Sequence, residues 1–289
     1  CTYTLSDDGV LCISGTGTIT KKFSEDEQIN KEIKKIVIED GIETIGKESF
    51  AHLKHQKLEI VLPDSLIEIG EQAFDYSLTS NIQFPENLKK IGDDAFGDNY
   101  LEHVFLPDSL EELGMYAFAG GKYIKEVRFP IHMTTIPAYS FASCAEIRTI
   151  EWPQNLEKID EYAFANCNNL KTVSTTCTLA TGDAANGSRL KTITIGKSVR
   201  KISKKYSKKF APGCYSLKKI VNLSKTEIPL DTLKGKRNWY VGKKKVTKLK
   251  PGKTAKSVYQ KYKIKYILDG GKVKGKKTKT YRYRQKTKL

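Results

Sequence analysis

The chain has 289 residues, a mass of 32.6 kDa and a hydrophobic fraction of 39%, which suffice for one large or two small domains with an apolar core. The formal net charge of +17 combines two parts of opposite sign. Residues 1–192 carry 18 Lys and Arg against 30 Asp and Glu, a net of −12, whereas residues 193–289 carry 32 against 3, a net of +29. The sequence contains neither a run of roughly 18 apolar residues, as a membrane span requires, nor a recognisable signal peptide.

Motifs for metal or redox chemistry are absent from the sequence. Its cysteines and histidines form neither C-x-x-C nor H-E-x-x-H, so we expect no metal site and no cofactor. The first residue is Cys1 rather than Met, which favours a processed piece of a longer precursor. A lipid-carrying N-terminal cysteine is the weaker alternative, because the sequence shows no lipobox.

Residues 3–15 predict a β-hairpin that turns at Asp8-Gly9. We expect this hairpin, within residues 1–32, to cap the part of the chain that follows. A two-residue turn would place Leu5 opposite Cys12, which argues against a disulfide between Cys1 and Cys12.

A repeat of 22 to 24 residues begins at Ile36 and is the strongest signal in the sequence. Each copy starts with a short apolar segment, and five of these end in proline, at residues 60–63, 82–85, 104–107, 127–130 and 150–153. A second apolar pair follows: Ile42 and Ile45, Leu66 and Ile69, Leu88 and Ile91, Leu110 and Leu113, Met133 and Ile136, Leu156 and Ile159. A phenylalanine then closes each copy: Phe50, Phe74, Phe96, Phe118, Phe141 and Phe164.

Such a repeat predicts a solenoid, in which each coil buries its apolar side only by stacking on its neighbours. In each short strand the first and third residues are apolar and point inward, and the variable middle residue points outward. Proline ends the strand because it lacks the N–H that a β-ladder requires. Gly46, Gly70, Gly92 and Gly114 are expected to permit a sharp corner, and the phenylalanines to stack into a buried column.

The repeat becomes irregular after Lys171, where apolar segments resume at Val173, Ile193 and Ile220. We predict about nine coils over residues 33–223, the last ones irregular, with a sheet roughly 40 Å long. Residues 224–289 are predicted to form a separate lysine-rich β segment.

The repeat resembles that of the BspA-like leucine-rich repeat surface proteins of bacteria, whose unit reads approximately I-x-I/F-P-x-S-L/V-x-x-I-G-x-x-A-F-x-x-C-x-x-L. Residues 62–74 read LPDSLIEIGEQAF, and residues 150–170 fit the unit as well. The resemblance implies a right-handed leucine-rich repeat solenoid of the α/β type, built mostly of short β-strands, with an N-terminal hairpin cap and a small C-terminal β-rich segment. Residues 262–271, YKIKYILDGG, resemble the opening of a Listeria-Bacteroides type surface repeat.

The remaining polar residues do not indicate catalysis. The four histidines fall on different coil faces with no recurring Ser or Cys beside them, and the acidic residues are spread along coil corners rather than paired as in a glycosidase. Cys144 and Cys167 occupy the same position in successive coils. They are either buried thiols that pack as small hydrophobic groups or, at one stacking distance, a disulfide suited to an extracellular setting.

The outward residues of the strands are the best binding candidates, because the ladder holds them rigidly and packing leaves them free. Phe105 stands out as an exposed aromatic among charged residues, a composition typical of binding hot spots, although an isolated surface phenylalanine is the alternative. We expect ligand binding on this concave face through Gln83, His103, Phe105, Glu126, Arg128 and Glu151.

Lysines interleaved with aromatic residues dominate the chain after residue 197. Nucleic acid is not the expected partner, because segments such as 238–243 alternate with a period of two and so place tyrosines and lysines on opposite faces of small strands. We favour an anionic wall polymer or an acidic host glycan; packing against the acidic solenoid and a lysine-rich spacer are the alternatives. The candidate polyanion-binding residues are Lys204, Lys205, Lys208, Lys209, Lys243, Lys244 and Lys245.

These expectations combine into one functional hypothesis. The chain is a non-enzymatic protein, secreted or on the cell surface, that presents a concave repeat surface to an extracellular protein or glycan, and the resemblance implies adhesion or host interaction. The alternative is an architectural stalk that spaces the other domains of a longer surface protein.

Overall fold

A computed structural model describes residues 1–53, 58–153, 156, 158–170, 172–175, 178–179, 192–195, 218–223, 227–229, 237–241, 243–250, 252–259, 261–265 and 278–282. Its elements are, in chain order, β1 (Thr2–Leu5), β2 (Val10–Ser14), β3 (Gly17–Ile19), a 3-10 helix (Phe23–Glu25), α1 (Glu27–Glu32), β4 (Lys35–Ile38), β5 (Ile42–Ile45), β6 (Leu58–Val61), β7 (Glu68–Ile69), β8 (Thr79–Asn81), β9 (Lys90–Ile91), β10 (His103–Phe105), β11 (Glu112–Leu113), β12 (Glu126–Arg128), β13 (Thr135–Ile136), β14 (Thr149–Glu151), β15 (Lys158–Ile159), β16 (Thr172–Thr175), β17 (Thr178–Leu179), β18 (Thr192–Ile195), β19 (Lys219–Asn222), β20 (Ile228–Pro229), β21 (Arg237–Val241), β22 (Lys244–Val246), β23 (Lys248–Leu249), β24 (Thr254–Tyr259), β25 (Lys261–Lys265) and β26 (Thr278–Arg282). None of the helices in this described part of the chain qualifies as a membrane span.

The predicted solenoid of short strands is confirmed, and six regular coils lie between residues 33 and 170. Each coil contributes one strand to each of two parallel ladders. The first ladder runs β2-β4-β6-β8 and resumes as β10-β12-β14. The second runs β3-β5-β7-β9-β11 and resumes as β13-β15-β17. Isoleucine, leucine and valine from both ladders meet inside the coil and form the core.

The N-terminal hairpin is confirmed, with one correction to its register. Strands β1 and β2 pair antiparallel, but Leu5 lies opposite Leu11, and Cys12 lies opposite Thr4. The N–H of Ser6 donates to the carbonyl of Val10, so the turn comprises residues 7–9 and is one residue longer than the predicted Asp8-Gly9 turn. Strand β2 of the hairpin pairs with β4 and the following β3 pairs with β5, so β2 and β3 together cover the edge of the first coil.

A third hydrogen-bonded row, here called the turn ladder, runs through the phenylalanines. The residues two before and two after each phenylalanine mostly have positive φ, as at Asp94 (52°) and Asp98 (48°). Alternate N–H groups then point to the next coil, so that Asp94, Phe96 and Asp98 donate to carbonyls of the following coil at 2.8–2.9 Å. Beneath this row the phenylalanine rings stack with centroids 5.0–5.6 Å apart, which confirms the aromatic column and extends it to Phe23.

The four corner glycines are required for a different reason from the predicted one. None of them has positive φ. Instead, a Cβ on Gly92 would lie 2.6 Å from the backbone nitrogen of Glu71 in the preceding coil, and Gly114 approaches the backbone of Gly92 and Asp93 equally closely. Stacking of adjacent coils, rather than turn geometry, therefore excludes a side chain at these positions.

The first ladder is interrupted between β8 and β10, where the sequence predicts a continuous run. Thr79 pairs with Leu58 and Asn81 with Glu59, so that Ser80 is the extra residue of a β-bulge. A buried network fixes this arrangement, because the Oδ1 of Asn99 accepts from the N–H of Thr79 at 2.7 Å. The predicted strand at residues 82–84 is therefore wrong, and the strand of this coil ends at Asn81.

Strands of the irregular region continue the parallel stacking. Val173, Ile193 and Ile220 are aligned in β16, β18 and β19, in the order expected of successive coils. Strand β19 then pairs antiparallel with β24, which joins it to β21 and β22 of the lysine-rich segment. The count of nine coils and the boundary at residue 223 stay predictions.

Candidate binding surface

The outward residues of β10, β12 and β14 form the candidate binding surface, here called the ladder face. The register aligns Phe105 with Arg128 and Arg128 with Glu151, so these three side chains form one row across the strands. All three are exposed, whereas Val104 and Val127, which directly precede Phe105 and Arg128 in their strands, are buried. This alternation places the variable residues outside, as the two-residue period predicts.

Phe105 is the centre of a small cluster on the ladder face. Its side chain is 45% exposed, its ring centroid lies 5.5 Å from that of His103, and the guanidinium carbon of Arg128 lies 5.7 Å from the ring centre. Glu126 faces His103, with Nδ1 and Oε2 3.5 Å apart. Five of the six predicted residues thus lie in one group, with Glu151 next to Arg128.

Gln83 joins this group from the interrupted coil. A cavity of about 640 Å³ opens beside the break in the first ladder, and Gln83, His103, Phe105 and Arg128 all line it. Because β8 and β10 are not paired, the two strand edges flank this cavity instead of closing it. The interruption therefore turns a flat row of side chains into a concave site.

Sequence reasoning missed several residues that line the same cavity. Val61 is 40% exposed there, and Glu59 and Glu102 pair with Lys35 and Lys125 of neighbouring coils. The two-residue strand period already predicts that the side chain of Val61 points outward. It does not predict the contribution of Ser80 and Asn81, because that contribution follows from the bulge.

The two central cysteines are free and buried, which confirms the thiol interpretation over the disulfide. The Sγ of Cys144 donates to the carbonyl of Phe118 at 3.1 Å, and that of Cys167 donates to Phe141 at 3.2 Å. Burial raises the pKa of Cys144 to about 12 and that of Cys167 well above its usual value, so neither is a thiolate. Cys1 and Cys12 are also free.

The structure describes only part of the lysine set. Lys204, Lys205, Lys208 and Lys209 lie outside the described residues. Lys243 is in the turn before β22, and Lys244 and Lys245 are in β22, the edge strand of its sheet; all three are exposed. Among the residues described, no group of three or more His, Cys, Asp or Glu is arranged to hold a metal ion.

The comparisons with known proteins agree with this architecture. A family model described as BspA type leucine rich repeat region matches residues 22–144 and 89–218, in six copies. A leucine-rich repeat protein from Eubacterium ventriosum is 22% identical with a TM-score of 0.52, over 77% of this chain and 70% of that chain. One from T. pallidum is 24% identical with a TM-score of 0.48, over 58% and 87%. No curated protein matches the chain. Likeness at this level concerns the fold alone.

Proposed function

Because this chain belongs to the BspA-type leucine-rich repeat family, we propose that it is a non-enzymatic binding protein, secreted or at the cell surface, whose ladder face holds an extracellular protein or glycan. Adhesion or host interaction is the role that this binding serves. The solenoid supplies a rigid support, since β10 and β14 are both hydrogen-bonded to β12, which is paired on both sides.

The observation that carries this proposal is the concave cluster around Phe105. A partly exposed aromatic ring with a guanidinium beside it, at the edge of a 640 Å³ cavity, offers apolar contact and directed hydrogen bonds in one place. Arg128 forms no ion pair with another described residue, so its donors are available to a ligand.

The experiment is a binding screen of the chain against extracellular matrix proteins, mucins and a glycan array, repeated with Phe105→Ala and Arg128→Ala. We expect each substitution to weaken capture of the selected partner about tenfold or more, because central hot-spot residues contribute above 1 kcal/mol. Ile131→Ala and Arg148→Ala are matched controls, since both residues are exposed away from the cavity. Unchanged capture by both site variants would contradict the proposal.

A second candidate function is retention on an anionic polymer by the lysine-rich segment. It is supported by the exposure of Lys243, Lys244 and Lys245 on an edge strand within the part of the chain that has a net charge of +29. Clustered lysines on an exposed edge attract polyanions through an electrostatic field that salt screens.

A further inference from the structure

One coil breaks the repeat at the residue after its phenylalanine. In the other five regular coils this position holds alanine or glycine, which suits its place on the turn ladder. In the coil that contains Phe74 this position instead holds Asp75, which is only 9% exposed. The small residues at the same position are Ala51, Gly97, Ala119, Ala142 and Ala165.

The next coil makes room for this carboxylate. Gly97 follows Asp75 in the stack, and a Cβ at Gly97 would clash with Oδ1 of Asp75. The neighbouring position repeats the arrangement, because a Cβ at Gly120 would lie 2.6 Å from Oδ1 of Asp98. The carboxylates of Asp75 and Asp98 therefore occupy the space that a side chain at Gly97 or Gly120 of the next coil would fill.

No Lys or Arg of the described chain compensates the burial of Asp75. The backbone N–H of Tyr76 donates to the carbonyl of Gly97 at 3.0 Å, and no described Lys or Arg forms an ion pair with the Asp75 carboxylate. Burial, together with the charges of Asp94 and Asp98, raises its pKa to about 6, and the charge of His52 only partly offsets this. A buried carboxylate without a cationic partner destabilises the fold, so its presence requires another reason.

Asp75 lies at one end of a groove of about 600 Å³ on the turn ladder. Small residues, including Ala119, Ala142 and Ala165, form its floor. Along one side, Tyr116, Tyr139 and Tyr162 stack with ring centroids 4.5 and 4.9 Å apart.

The other side of the groove begins with Tyr76, which is 50% exposed and hydrogen-bonds to Asp98. Asp94 holds the same coil position as Tyr116, Tyr139 and Tyr162 and so continues their side of the groove, and the groove has no Lys, Arg or His among its lining residues. An elongated groove with tyrosine sides and an acidic end complements an extended chain that carries a positive charge.

The acidic end suits an organic cation rather than a metal ion. Asp75, Asp94 and Asp98 are not arranged as a metal-binding group, as no such group occurs among the described residues. Ammonium and guanidinium groups are larger, accept several carboxylate contacts at once and bind favourably over tyrosine rings.

We propose that this groove binds an extended peptide segment of a partner protein, with a Lys or Arg side chain of that peptide held by Asp75, Asp94 and Asp98 beside Tyr76. The hydroxyls of Tyr116, Tyr139 and Tyr162 and the side chain of Asn166 line the path of the peptide backbone. The groove lies on a different face from the ladder face, so the outcome of either binding test leaves the other proposal standing.

The test is fluorescence anisotropy of labelled hexalysine and hexaarginine with the full chain at pH 7.5, comparing the unchanged protein with Asp75→Asn. We expect the substitution to weaken binding at least about tenfold, because it removes the buried negative charge that pairs with a lysine or arginine of the peptide. Asp64→Asn is the matched control, since it removes an exposed carboxylate at a proline corner. It should leave binding unchanged.

A second measurement separates a lost site from a damaged fold. Asp75→Asn should unfold at a higher denaturant concentration than the unchanged chain at pH 7.5, because it removes an uncompensated buried charge. Equal binding by Asp75→Asn and the unchanged chain would overturn the proposal. No binding of either basic peptide, or equal binding of labelled hexaglutamate or of the uncharged sugar chitohexaose, would overturn it too.

Discussion

At the scale of single residues, the coil position assigns each side chain its environment. Phe96 and Phe105 are both phenylalanines nine residues apart, yet the first is 1% exposed and the second 45%. The difference follows from the hydrogen-bonded rows to which they belong, since the inward position of the turn ladder faces the core and the middle position of a strand faces solvent. Asp75 is the exception, a charged residue that is buried at a coil position whose equivalents in later coils form the floor of a surface groove.

Asp75 makes stability depend on pH in a direction opposite to that of most carboxylates. Its pKa rises from 3.8 to about 6 on folding, so the folded state binds the proton more tightly than the unfolded state. Stability from this group is therefore greatest below pH 4 and is lost as pH rises through about 6. The groups that face it are His52, Asp94 and Asp98.

We expect Asp75→Asn to be more stable than the unchanged chain at pH 7.5 by about 1–3 kcal/mol, and the gain to shrink as the pH falls to 4.5. Urea unfolding at several pH values measures this difference. A constant difference across the range would show that the carboxylate is not the titrating group, and Asp64→Asn provides the baseline for loss of an exposed charge.

At the scale of elements, the aromatic column links each coil to the next. Phe96 stacks on Phe74 and Phe118 at 5.1 and 5.3 Å and is buried. Solenoid stability is a sum over such neighbour contacts, so the middle of the column is where loss of one ring affects two interfaces.

We expect Phe96→Ala to reduce the free energy of unfolding by about 3–5 kcal/mol, because it leaves a cavity in a packed core. Phe105→Ala is the matched control, the same change on the surface, and should cost below about 0.5 kcal/mol. Urea unfolding followed by circular dichroism compares the two. Similar losses for both variants would mean that the column does not dominate packing.

At the scale of the whole molecule, charge is distributed between two regions that are covalently and structurally joined. The chain is acidic up to residue 192 and strongly basic beyond it. Strand β16 of the acidic region pairs with β18, which begins at residue 192, and β18 pairs with β19 of the basic region, so one sheet runs from one region into the other.

The basic region is tested by substituting Lys243, Lys244 and Lys245 with glutamine and measuring retention on heparin resin. We expect elution at clearly lower salt than the unchanged chain, because exposed lysines on one edge contribute most of the attraction. Glutamine at the exposed Lys31, Lys34 and Lys122 removes the same charge from the solenoid and should shift elution less. An equal shift for both triple variants would show that net charge alone governs retention.

Much of the fold and part of the candidate site could be predicted from sequence. The repeat period identified the coils, and the alternation within Val104, Phe105 and Leu106 correctly separated inward from outward residues. The cluster of His103, Phe105 and Arg128 followed from that alternation. The cavity beside it did not, because it depends on the bulge at Ser80.

The sequence by itself determined which way each side chain points within a coil, because that direction follows from the local backbone period. Contacts between coils were decided only by the tertiary structure. The sequence alone shows that Asp75 stands where most other coils have alanine. Its burial against Gly97 depends on how one coil stacks on the next. The close approach at Gly92 and the pairing of β19 with β24 have the same origin, since both join residues that are far apart along the chain and meet only when the backbones stack.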